Sequence, residues 1–382
     1  MRKEKTSDIN NPAKNKKTVA ICTISDISTD YRLHKMATTI SQSDFSPFFI
    51  TRKRKDYLNR SEKFPVKIMN LFFEKGPFFY IEYNIRLFFK LILNPPDIIF
   101  SVDLDTLSAA RSAAFVLRKP LIFDSHEYFP ESPELQHRPF IKKIWETAEK
   151  IFVPGLKYGI TVCESIANIY KEKYNADFKV IRNLPLAVNN ENTPTPDINT
   201  KETFTLIYQG AVNIGRGIKE TIESLKYLNN VNLIIVGEGD IFEEVKEMVV
   251  SNGLSDRVTI TGKIPFSQLP KYTKQADLGL ILLENMGLNY FYSLPNRVFD
   301  FIKYQVPILA IDFPEIKKIV EGYDVGICIQ DMEPQHIAEI IEKIRTDKER
   351  IKQWKLNAEK AAEELTWEND EINLIEILND LR

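Results

Sequence analysis

Three ionisable side chains, Asp124, His126 and Glu127, lie within four residues of one another in the first half of the chain. They follow an apolar run over residues 120–123, which predicts a short buried strand. His126 and Glu127 would then lie just beyond the carboxyl end of this strand, where open α/β sheets bind their ligands. His126 could also be a polar strand cap, but ionisable groups at this density are typical of a functional site. We therefore expect His126 and Glu127 to be catalytic.

A second segment, residues 292–301, contains the signals of a helix start that faces an anion. Ser293 and Pro295 predict the start, and the free backbone N–H groups at such an end attract negative charge. Arg297 adds a full positive charge, and Asp300 would lie about one turn further along the helix. A diphosphate and a ribose could both bind there. The ligand-binding residues predicted in this segment are Ser293, Pro295, Asn296, Arg297 and Asp300.

A glycine-rich loop, residues 210–217, lies between a predicted strand and a predicted helix over residues 218–228. Gly210, Gly215 and Gly217 would let the backbone approach a phosphate closely, and Arg216 could bond two phosphate oxygens. The alternative is an ordinary glycine turn with a surface arginine. The position of the loop, after a strand and before a helix, favours the phosphate site.

Two further turns follow strands in the same half of the chain. Gly237 and Glu238 are equally compatible with a ligand contact and with a tight connection from strand to helix. Lys263 and Ile264 expose backbone groups at a strand end and could pair with a base. We include all four residues in the predicted binding site.

Asp103 and Asp105 follow a predicted strand over residues 97–102. This strand would end at the same edge of the same sheet as the strand before His126, so both carboxylates could face the site. For Asp105, capping the next helix is the favoured alternative.

The composition excludes several classes of protein. Lys and Arg number 51 against 53 Asp and Glu, giving a net charge of -2 and a pI near 6.2, so nothing in the bulk charge favours nucleic acid. No apolar stretch reaches about 18 residues without charge, so no transmembrane helix is predicted. Residues 1–17 lack an apolar core and predict a flexible tail rather than a signal peptide.

The cysteines and histidines do not have the spacing of metal ligands, and no metal site is predicted. Cys22, Cys163 and Cys328 are widely separated, which favours buried thiols in a reducing compartment. We expect the protein to be cytoplasmic.

The chain has 382 residues, more than a single core usually supports, so two domains with a cleft between them are expected. Short apolar runs alternate with helical patterns over residues 18–188 and again over residues 201–366, which predicts two doubly wound domains with parallel sheets. Residues 189–200 are rich in Asn, Thr and Pro and predict a linker. Residues 367–382 contain the pattern of an amphipathic terminal helix.

Basic and aromatic residues are concentrated between residues 52 and 93. Four consecutive cations at residues 52–55 precede pairs of Phe at 72–73, 78–79 and 88–89. This combination suits the interface of a membrane that contains anionic lipid. A helix that buries its Phe residues in the core of the first domain is an equally good interpretation.

Taken together, these residues resemble the retaining, nucleotide-sugar-dependent glycosyltransferases of family 4, over nearly the whole chain. The most specific segments are residues 30–32, 124–131, 181–185, 208–210, 216–217 and 293–297. The resemblance implies an α/β fold of the GT-B class, with two Rossmann-like doubly wound domains facing a central cleft. In that family the first domain binds the acceptor, the second binds the donor, and the terminal helix crosses back to the first domain.

The resemblance also implies roles for single residues. His126 would contact the transferred sugar. Arg216 stands where the family usually has a lysine that neutralises the diphosphate, and Asp300 stands where a glutamate usually binds the ribose. The acceptor side would include Asp30 and Arg32, in addition to Asp103 and Asp105.

Two positions depart from the family pattern. Ala211 stands where many members have a second phosphate-binding arginine, and Tyr292 stands where the first glutamate of a paired motif would be. Asn289, Ser293 and the backbone N–H groups near Leu294 would then contact the donor sugar. Arg297 would compensate for the missing arginine.

The mechanism that the family implies needs no cofactor. The leaving phosphate deprotonates the acceptor on the same face of the sugar, and cationic side chains take the place of a metal ion. The expected partners are a UDP-, GDP- or ADP-linked hexose, a glycan or lipid-linked acceptor of surface polysaccharide assembly, and the inner face of an anionic membrane as a peripheral contact.

Two other functions remain open on the sequence. A sugar-nucleotide 2-epimerase has the same architecture, but it should carry a histidine near the sugar in the second domain, where this chain has only His336, on a late surface helix pattern. A sugar-nucleotide-binding protein without catalytic activity is compatible with Ala211 and Tyr292.

Overall fold

The computed structural model describes residues 16–53, 63–187 and 203–382. The chain divides into two compact units, Met1–Ile122 with Leu378–Arg382, and Phe123–Ile377. Most of the predicted tail and the whole predicted linker, residues 189–200, lie outside the described residues. The cations Arg54 and Lys55 lie outside them as well.

The first unit contains a parallel sheet whose strands lie in the order β3-β2-β1-β4. The order reverses between β1 and β4, and a reversal of this kind creates a crevice at the carboxyl ends of the strands. Its elements are β1 (Thr18–Cys22), α1 (Tyr31–Gln42), β2 (Ser46–Arg52), β3 (Val66–Met69), α2 (Pro77–Leu93), β4 (Ile98–Val102) and α3 (Leu104–Leu117).

The second unit begins within β5 and contains a run of neighbouring strands, β5-β6-β7, and a separate parallel sheet in the order β10-β9-β8-β11-β12-β13. The second order is that of a dinucleotide-binding Rossmann fold, with its reversal between β8 and β11. The strands are β5 (Leu121–Ser125), β6 (Tyr158–Thr161), β7 (Phe178–Val180), β8 (Phe204–Gln209), β9 (Val231–Val236), β10 (Val258–Ile260), β11 (Leu278–Ile281), β12 (Ile308–Ile311) and β13 (Gly326–Ile329).

Helices connect these strands and complete the second unit. Several are only one or two turns long, including those beside the predicted binding residues. They are α4 (Pro133–Gln136), α5 (Pro139–Phe152), α6 (Glu164–Tyr174), α7 (Ile218–Ser224), α8 (Phe242–Ser251), α9 (Leu269–Thr273), α10 (Leu288–Phe291), α11 (Arg297–Lys303), α12 (Pro314–Val320), α13 (Pro334–Thr346), α14 (Lys348–Glu364), α15 (Trp367–Asp370) and α16 (Ile372–Asp380).

Alternating residues of β8 explain why helices cover both faces of the second sheet. Leu206 and Tyr208 pack into one apolar cluster, whereas Ile207 packs into another. A strand that buries both faces needs a nearly continuous apolar sequence, which is the pattern that predicted a parallel sheet. The predicted fold class, two Rossmann-like parallel sheets in an α/β chain, is confirmed.

The structure differs from the sequence prediction at several places. Helix α11 begins at Arg297, after the start that Ser293 and Pro295 predicted. The strands β3 and β13 were not predicted, and the terminal helix is divided into α15 and α16. Strand β3 has only four residues, of which Lys67 and Ile68 are exposed, so it lacks a buried apolar run. Cys328 on β13 is only partly buried, unlike Cys22 and Cys163. No helix in the described part of the chain is both long enough and apolar enough to cross a membrane.

The terminal helices are held to the segment that follows β7. The Asp370 carboxylate accepts hydrogen bonds from the Arg182 backbone N–H at 2.9 Å, from Nε at 2.9 Å and from Nη2 at 2.6 Å. The backbone N–H of Trp367 donates to the Pro185 carbonyl at 2.8 Å. Asp370 raises the pKa of the Arg182 guanidinium, as expected for a close ion pair. A partly buried, bidentate pair of this kind is a strong anchor.

We predict that Asp370→Asn lowers the free energy of unfolding by about 2 kcal/mol, because it leaves a partly buried guanidinium without its counter-charge. The matched control is Glu376→Gln, which removes an exposed partner of Lys179 and should change stability by less than about 1 kcal/mol. Thermal unfolding of the two variants and the natural chain measures the difference. Equal effects of both substitutions would show that the Arg182 pair is not the anchor.

Candidate functional site

The side chain of Arg297 is buried at the start of α11, with 6% of its surface exposed. Its Nη1 donates to the Gln209 carbonyl at 3.3 Å, whereas Nε and Nη2 are buried and have no hydrogen-bond partner among the described residues. The guanidinium lies over the ring of Tyr208 at 4.8 Å from the centroid. Burial lowers the pKa of Arg297, and the charge of Arg216 lowers it further. Buried N–H groups without acceptors are costly, so an anion would stabilise this position.

Arg216 is the second cation of this site. Its guanidinium lies 4.6 Å from the centroid of the Tyr290 ring, and its Nε is buried without a hydrogen-bond partner among the described residues. Burial raises the pKa of the Tyr290 hydroxyl, although the nearby Arg216 acts in the opposite direction. Both predicted diphosphate-binding arginines therefore stack on tyrosine rings and have unpaired buried N–H groups. We call Arg216 and Arg297 the arginine pair.

The loops that follow β8 and β11 meet beside the arginine pair. The backbone N–H of Glu284 donates to the Gly215 carbonyl at 3.0 Å. Gly215 has a φ of +74°, and a Cβ there would lie 2.3 Å from the Met286 sulfur. The two loops leave the strands between which the sheet order reverses, which is where Rossmann-like sheets bind nucleotides. Glycine is required at position 215 both by its backbone conformation and by this packing.

The turn after β9 closes against the same loop. A Cβ at Gly237 would lie 1.8 Å from the Gly210 carbonyl oxygen, and one at Gly210 would lie 3.2 Å from Arg297 Nη1. The backbone N–H of Val212 donates to the Glu238 carbonyl at 3.0 Å. The predicted residues Gly210, Gly237 and Glu238 therefore lie together, with Glu238 exposed at the surface.

Asp300 is connected to the end of β8 through a buried amide. Gln209 Nε2 donates to Asp300 Oδ2 at 3.1 Å, and Thr273 Oγ1 donates to Gln209 Oε1 at 2.9 Å. Gln209 is 3% exposed and Thr273 is fully buried. Neither residue was predicted to have a role of its own. Gln209 lies within the segment 208–210 that carries the family resemblance, whereas no signal in the sequence indicated Thr273.

His126 lies beside a fully buried carboxylate at the end of β5. Its Nε2 is 2.9 Å from Asp124 Oδ2, and its side chain is 19% exposed. The hydroxyl of Ser125 donates to the Glu127 carbonyl at 2.9 Å, which fixes the turn that carries both predicted residues. A carboxylate hydrogen-bonded to one ring nitrogen sets the orientation and the tautomer of a histidine.

Asn289 connects this turn with α10. Its Nδ2 donates to Glu127 Oε2 at 3.0 Å, and its Oδ1 accepts from the Tyr128 backbone N–H at 3.1 Å. Both ends of the amide are therefore engaged by the turn after His126. Within residues 123–377, the structure brings two predicted regions together, the residues around His126 and those around Asn289.

The other predicted donor-side residues surround α10 and α11. Ser293 Oγ donates to the Tyr290 carbonyl at 2.8 Å, and Leu294 packs against the core. Cys163 Sγ donates to the Tyr292 carbonyl at 3.3 Å. The rest differ mainly in exposure: Lys263 and Asn296 are exposed, whereas Ile264 and Pro295 are partly buried.

The predicted acceptor-side residues lie in the first unit, at the starts of α1 and α3, the helices that follow β1 and β4. Asp30 caps α1 by accepting from the Leu33 N–H at 3.1 Å, and Arg32 is 3% exposed. Asp103 precedes α3 with a φ of +57° and a ψ of 167°, which is a strained conformation for any residue except glycine. Asp105 lies inside the first turn of α3 and is 4% exposed, so the alternative that it caps this helix is wrong.

No group of three or more His, Cys, Asp or Glu side chains in the described residues is arranged to hold a metal ion. Within the described residues 203–382, the side chains with buried, unpaired N or O atoms are arginines, at positions 216, 257 and 297. Unpaired guanidinium N–H groups fit an anion. Arg216 and Arg297 lie at the predicted phosphate loops.

Comparison with known proteins agrees with this geometry. Residues 32–191 match the family described as Glycosyltransferase Family 4, and residues 190–361 match Glycosyl transferases group 1. Alpha-D-kanosaminyltransferase of Streptomyces kanamyceticus is 22% identical over 158 residues, 38% of this chain and 37% of that protein. Chitobiosyldiphosphodolichol beta-mannosyltransferase of Candida albicans is 24% identical over 284 residues, 67% of this chain and 60% of that protein. The chain thus spans less than two thirds of either relative.

Among solved structures, the Anabaena protein Alr3699/HepE in complex with UDP and glucose superposes with a TM-score of 0.74 at 17% identity. The match covers 95% of this chain and 99% of that chain. At this identity the likeness establishes the fold. Since the two family matches are consecutive and span most of the sequence, the chain belongs to the family 4 glycosyltransferases of the GT-B fold.

Proposed function

We propose that this protein is a retaining glycosyltransferase that moves a hexose from a nucleotide sugar to a glycan or a lipid-linked acceptor. The observation that carries the proposal is the arginine pair. Arg297 is 6% exposed and has two buried nitrogens without acceptors among the described residues, and Arg216 has one. A diphosphate supplies several oxygens with negative charge and would satisfy these donors.

Glycosyl transfer requires a diphosphate to leave while the anomeric carbon gains positive character. Fixed donors around the leaving oxygens stabilise that charge in the transition state and need no reorganisation during the reaction. Stacking on Tyr208 and Tyr290 fixes the two guanidiniums in this way. We propose that the departing phosphate then takes the proton of the acceptor hydroxyl, and that the arginine pair fulfils the role that a metal ion has in other transferases.

The other predicted residues of the site are assigned to the sugar and to the ribose. We propose that His126, held by Asp124, contacts the transferred sugar, and that Asp300 binds the ribose hydroxyls. Glu127 bonds to Asn289, which supports a role in holding the catalytic turn in place. The relatives give general support, because their names specify transfer of a kanosaminyl and a mannosyl group, and the Anabaena structure contains UDP and glucose.

We predict that Arg216→Ala costs about 2 to 4 kcal/mol of transition-state stabilisation, as removal of a main electrostatic donor does in other enzymes. The loss should appear in kcat/KM for transfer from a panel of UDP-, GDP- and ADP-sugars. Arg257→Ala is the matched control, because Arg257 also has a buried unpaired nitrogen within the described residues but lies before β10, away from the loops of the site. Unchanged turnover in Arg216→Ala would remove this residue from the mechanism.

The same panel separates the alternatives. A 2-epimerase would invert C2 of the sugar without an acceptor. A binding protein would release no nucleoside diphosphate. The only histidine of residues 203–382, His336, contacts Asp331 at 2.9 Å in an exposed position, which does not favour epimerase chemistry. Nuclear magnetic resonance of the product anomer tests the retaining course.

The sugar and ribose roles can be separated by binding. We predict that His126→Ala impairs transfer but leaves the affinity for the free nucleoside diphosphate nearly unchanged, because His126 would contact only the sugar. Asp300→Ala should weaken binding of the nucleoside diphosphate itself by about tenfold or more, since hydrogen bonds to a charged group contribute about 1.5 to 3 kcal/mol. Calorimetry decides between the roles, and equal losses in both variants would contradict one assignment.

Helix α2 supports a second part of the proposal, peripheral attachment to an anionic membrane. One row of its apolar residues is buried, Phe79, Tyr83, Leu87 and Leu91. A second row is exposed, and its members Ile81, Ile85, Phe89 and Leu93 are 54 to 75% accessible. The helix therefore buries only part of its apolar surface in the core. Exposed apolar rows of this extent mark interaction surfaces.

Cations border the exposed row. A groove of about 560 Å³ is lined by Ile68, Ile85, Phe89 and Leu93, and Arg86 and Lys90 lie along it. Apolar side chains that enter the acyl region, next to cations at headgroup level, fit a lipid surface with negative charge. The same surface would give access to a lipid-linked acceptor.

We predict that the natural chain floats with vesicles rich in anionic lipid, less with phosphatidylcholine alone, and less as salt rises. The triple variant Ile81→Ser, Ile85→Ser, Phe89→Ser should reduce the bound fraction severalfold, because each inserted side chain contributes about 1 to 2 kcal/mol. A variant with Val250, Leu356 and Ile372 changed to Ser controls for loss of exposed apolar side chains elsewhere. If the natural chain does not float, the acceptor is reached from solution.

A further inference from the structure

Gln209, the last residue of β8, contacts two residues of α11 to which we assign donor binding. Its backbone carbonyl accepts from Arg297 Nη1 at 3.3 Å, and its side-chain Nε2 donates to Asp300 Oδ2 at 3.1 Å. The residue is 3% exposed, so its amide is not positioned by solvent. The ribose and diphosphate contacts of the proposed function thus have a common anchor.

The orientation of the Gln209 amide is determined by Asp300 and is compatible with Thr273. Thr273 is fully buried, and its Oγ1 lies 2.9 Å from Gln209 Oε1 and 3.1 Å from the Leu269 carbonyl oxygen. An ionised carboxylate only accepts hydrogen bonds, so the NH₂ end must face Asp300 and the oxygen must face the Thr273 hydroxyl. With the amide reversed, its oxygen would face the carboxylate, and two acceptors would be in contact. The buried chain Thr273–Gln209–Asp300 is therefore directional.

We propose that Gln209 is a positioning residue that, supported by Thr273, orients the Asp300 carboxylate for the ribose hydroxyls of the donor. This inference rests on the proposed function. Gln209 does not touch the ligand in this role. By fixing the rotamer of Asp300, it removes the conformational entropy that the carboxylate would otherwise lose on binding.

The proposal is tested by deleting the hydroxyls from the ligand as well as the amide from the protein. The natural chain, Gln209→Met and Thr273→Val are each titrated by calorimetry. The ligands are UDP, GDP and ADP, together with the 2′-deoxy and 3′-deoxy form of each. For the nucleotide that the natural chain binds best, loss of the recognised hydroxyl should weaken binding about tenfold or more, as for a hydrogen bond to a charged group. We call this loss of affinity the hydroxyl factor. In Gln209→Met the hydroxyl factor should fall below about threefold, and in Thr273→Val it should lie between the values of the natural chain and of Gln209→Met.

The readouts distinguish positioning from general damage to the structure. Gln209→Met should raise KM for the nucleotide sugar while kcat changes little, because the arginine pair and His126 are unaffected. Thr39→Val, which removes another buried hydroxyl, 1% exposed, on α1 of the first unit, should leave the hydroxyl factor unchanged. If Gln209→Met does not fold, Thr273→Val provides the same comparison.

Each outcome has a defined meaning. A hydroxyl factor in Gln209→Met equal to that of the natural chain would overturn the role of Gln209 and leave the proposed function intact. A natural chain that binds none of the nucleotides would overturn the proposed function and this inference with it. A hydroxyl factor that is present in the natural chain and lost in Gln209→Met and Thr273→Val supports the directional chain Thr273–Gln209–Asp300.

Discussion

The buried charge of Arg297 is the constraint to which the rest of the proposed donor site is fitted. A guanidinium that is 6% exposed, with two nitrogens unpaired in the described residues, is costly unless its surroundings compensate. Only partial compensation is present, from the Tyr208 ring and the Gln209 carbonyl. The protein therefore maintains a position that is favourable for an anion and unfavourable when empty, which is the kind of local frustration expected at a binding site.

The end of β8 connects this charge to the other contacts. Three consecutive residues act there: the Tyr208 ring stacks on Arg297, Gln209 contacts Arg297 and Asp300, and Gly210 lets the backbone pass close to Arg297. A strand in the centre of a parallel sheet is among the most rigid parts of a fold. Arg297 and Asp300 of α11 are positioned by hydrogen bonds to Gln209, at the end of the central strand β8.

Much of this could be predicted from the sequence, and the parts that could not have physical reasons. Apolar runs predicted the central strands, and the glycines with Arg216 predicted the loop between β8 and α7. Strand β3 was missed because its side chains are mostly exposed. The pairing of Gln209 with Thr273 and Asp300 joins residues 64 and 91 positions apart, and no local pattern indicates such a contact. Likewise, spacing along the chain could not show that Asn289 bonds to the turn after His126.

The contact between Gly210 and Gly237 limits how this site can diversify. A Cβ at position 237 would lie 1.8 Å from a backbone oxygen, so no flexible side chain could move aside to accommodate it. Any mutation to a larger residue must shift the neighbouring loop and with it the surroundings of Arg297. Changes in the preference for the proposed donor are therefore expected more readily at exposed positions of the predicted site, such as Lys263 and Asn296. Evolution or directed mutagenesis can therefore change the exposed residues of this site more easily than Gly210 and Gly237.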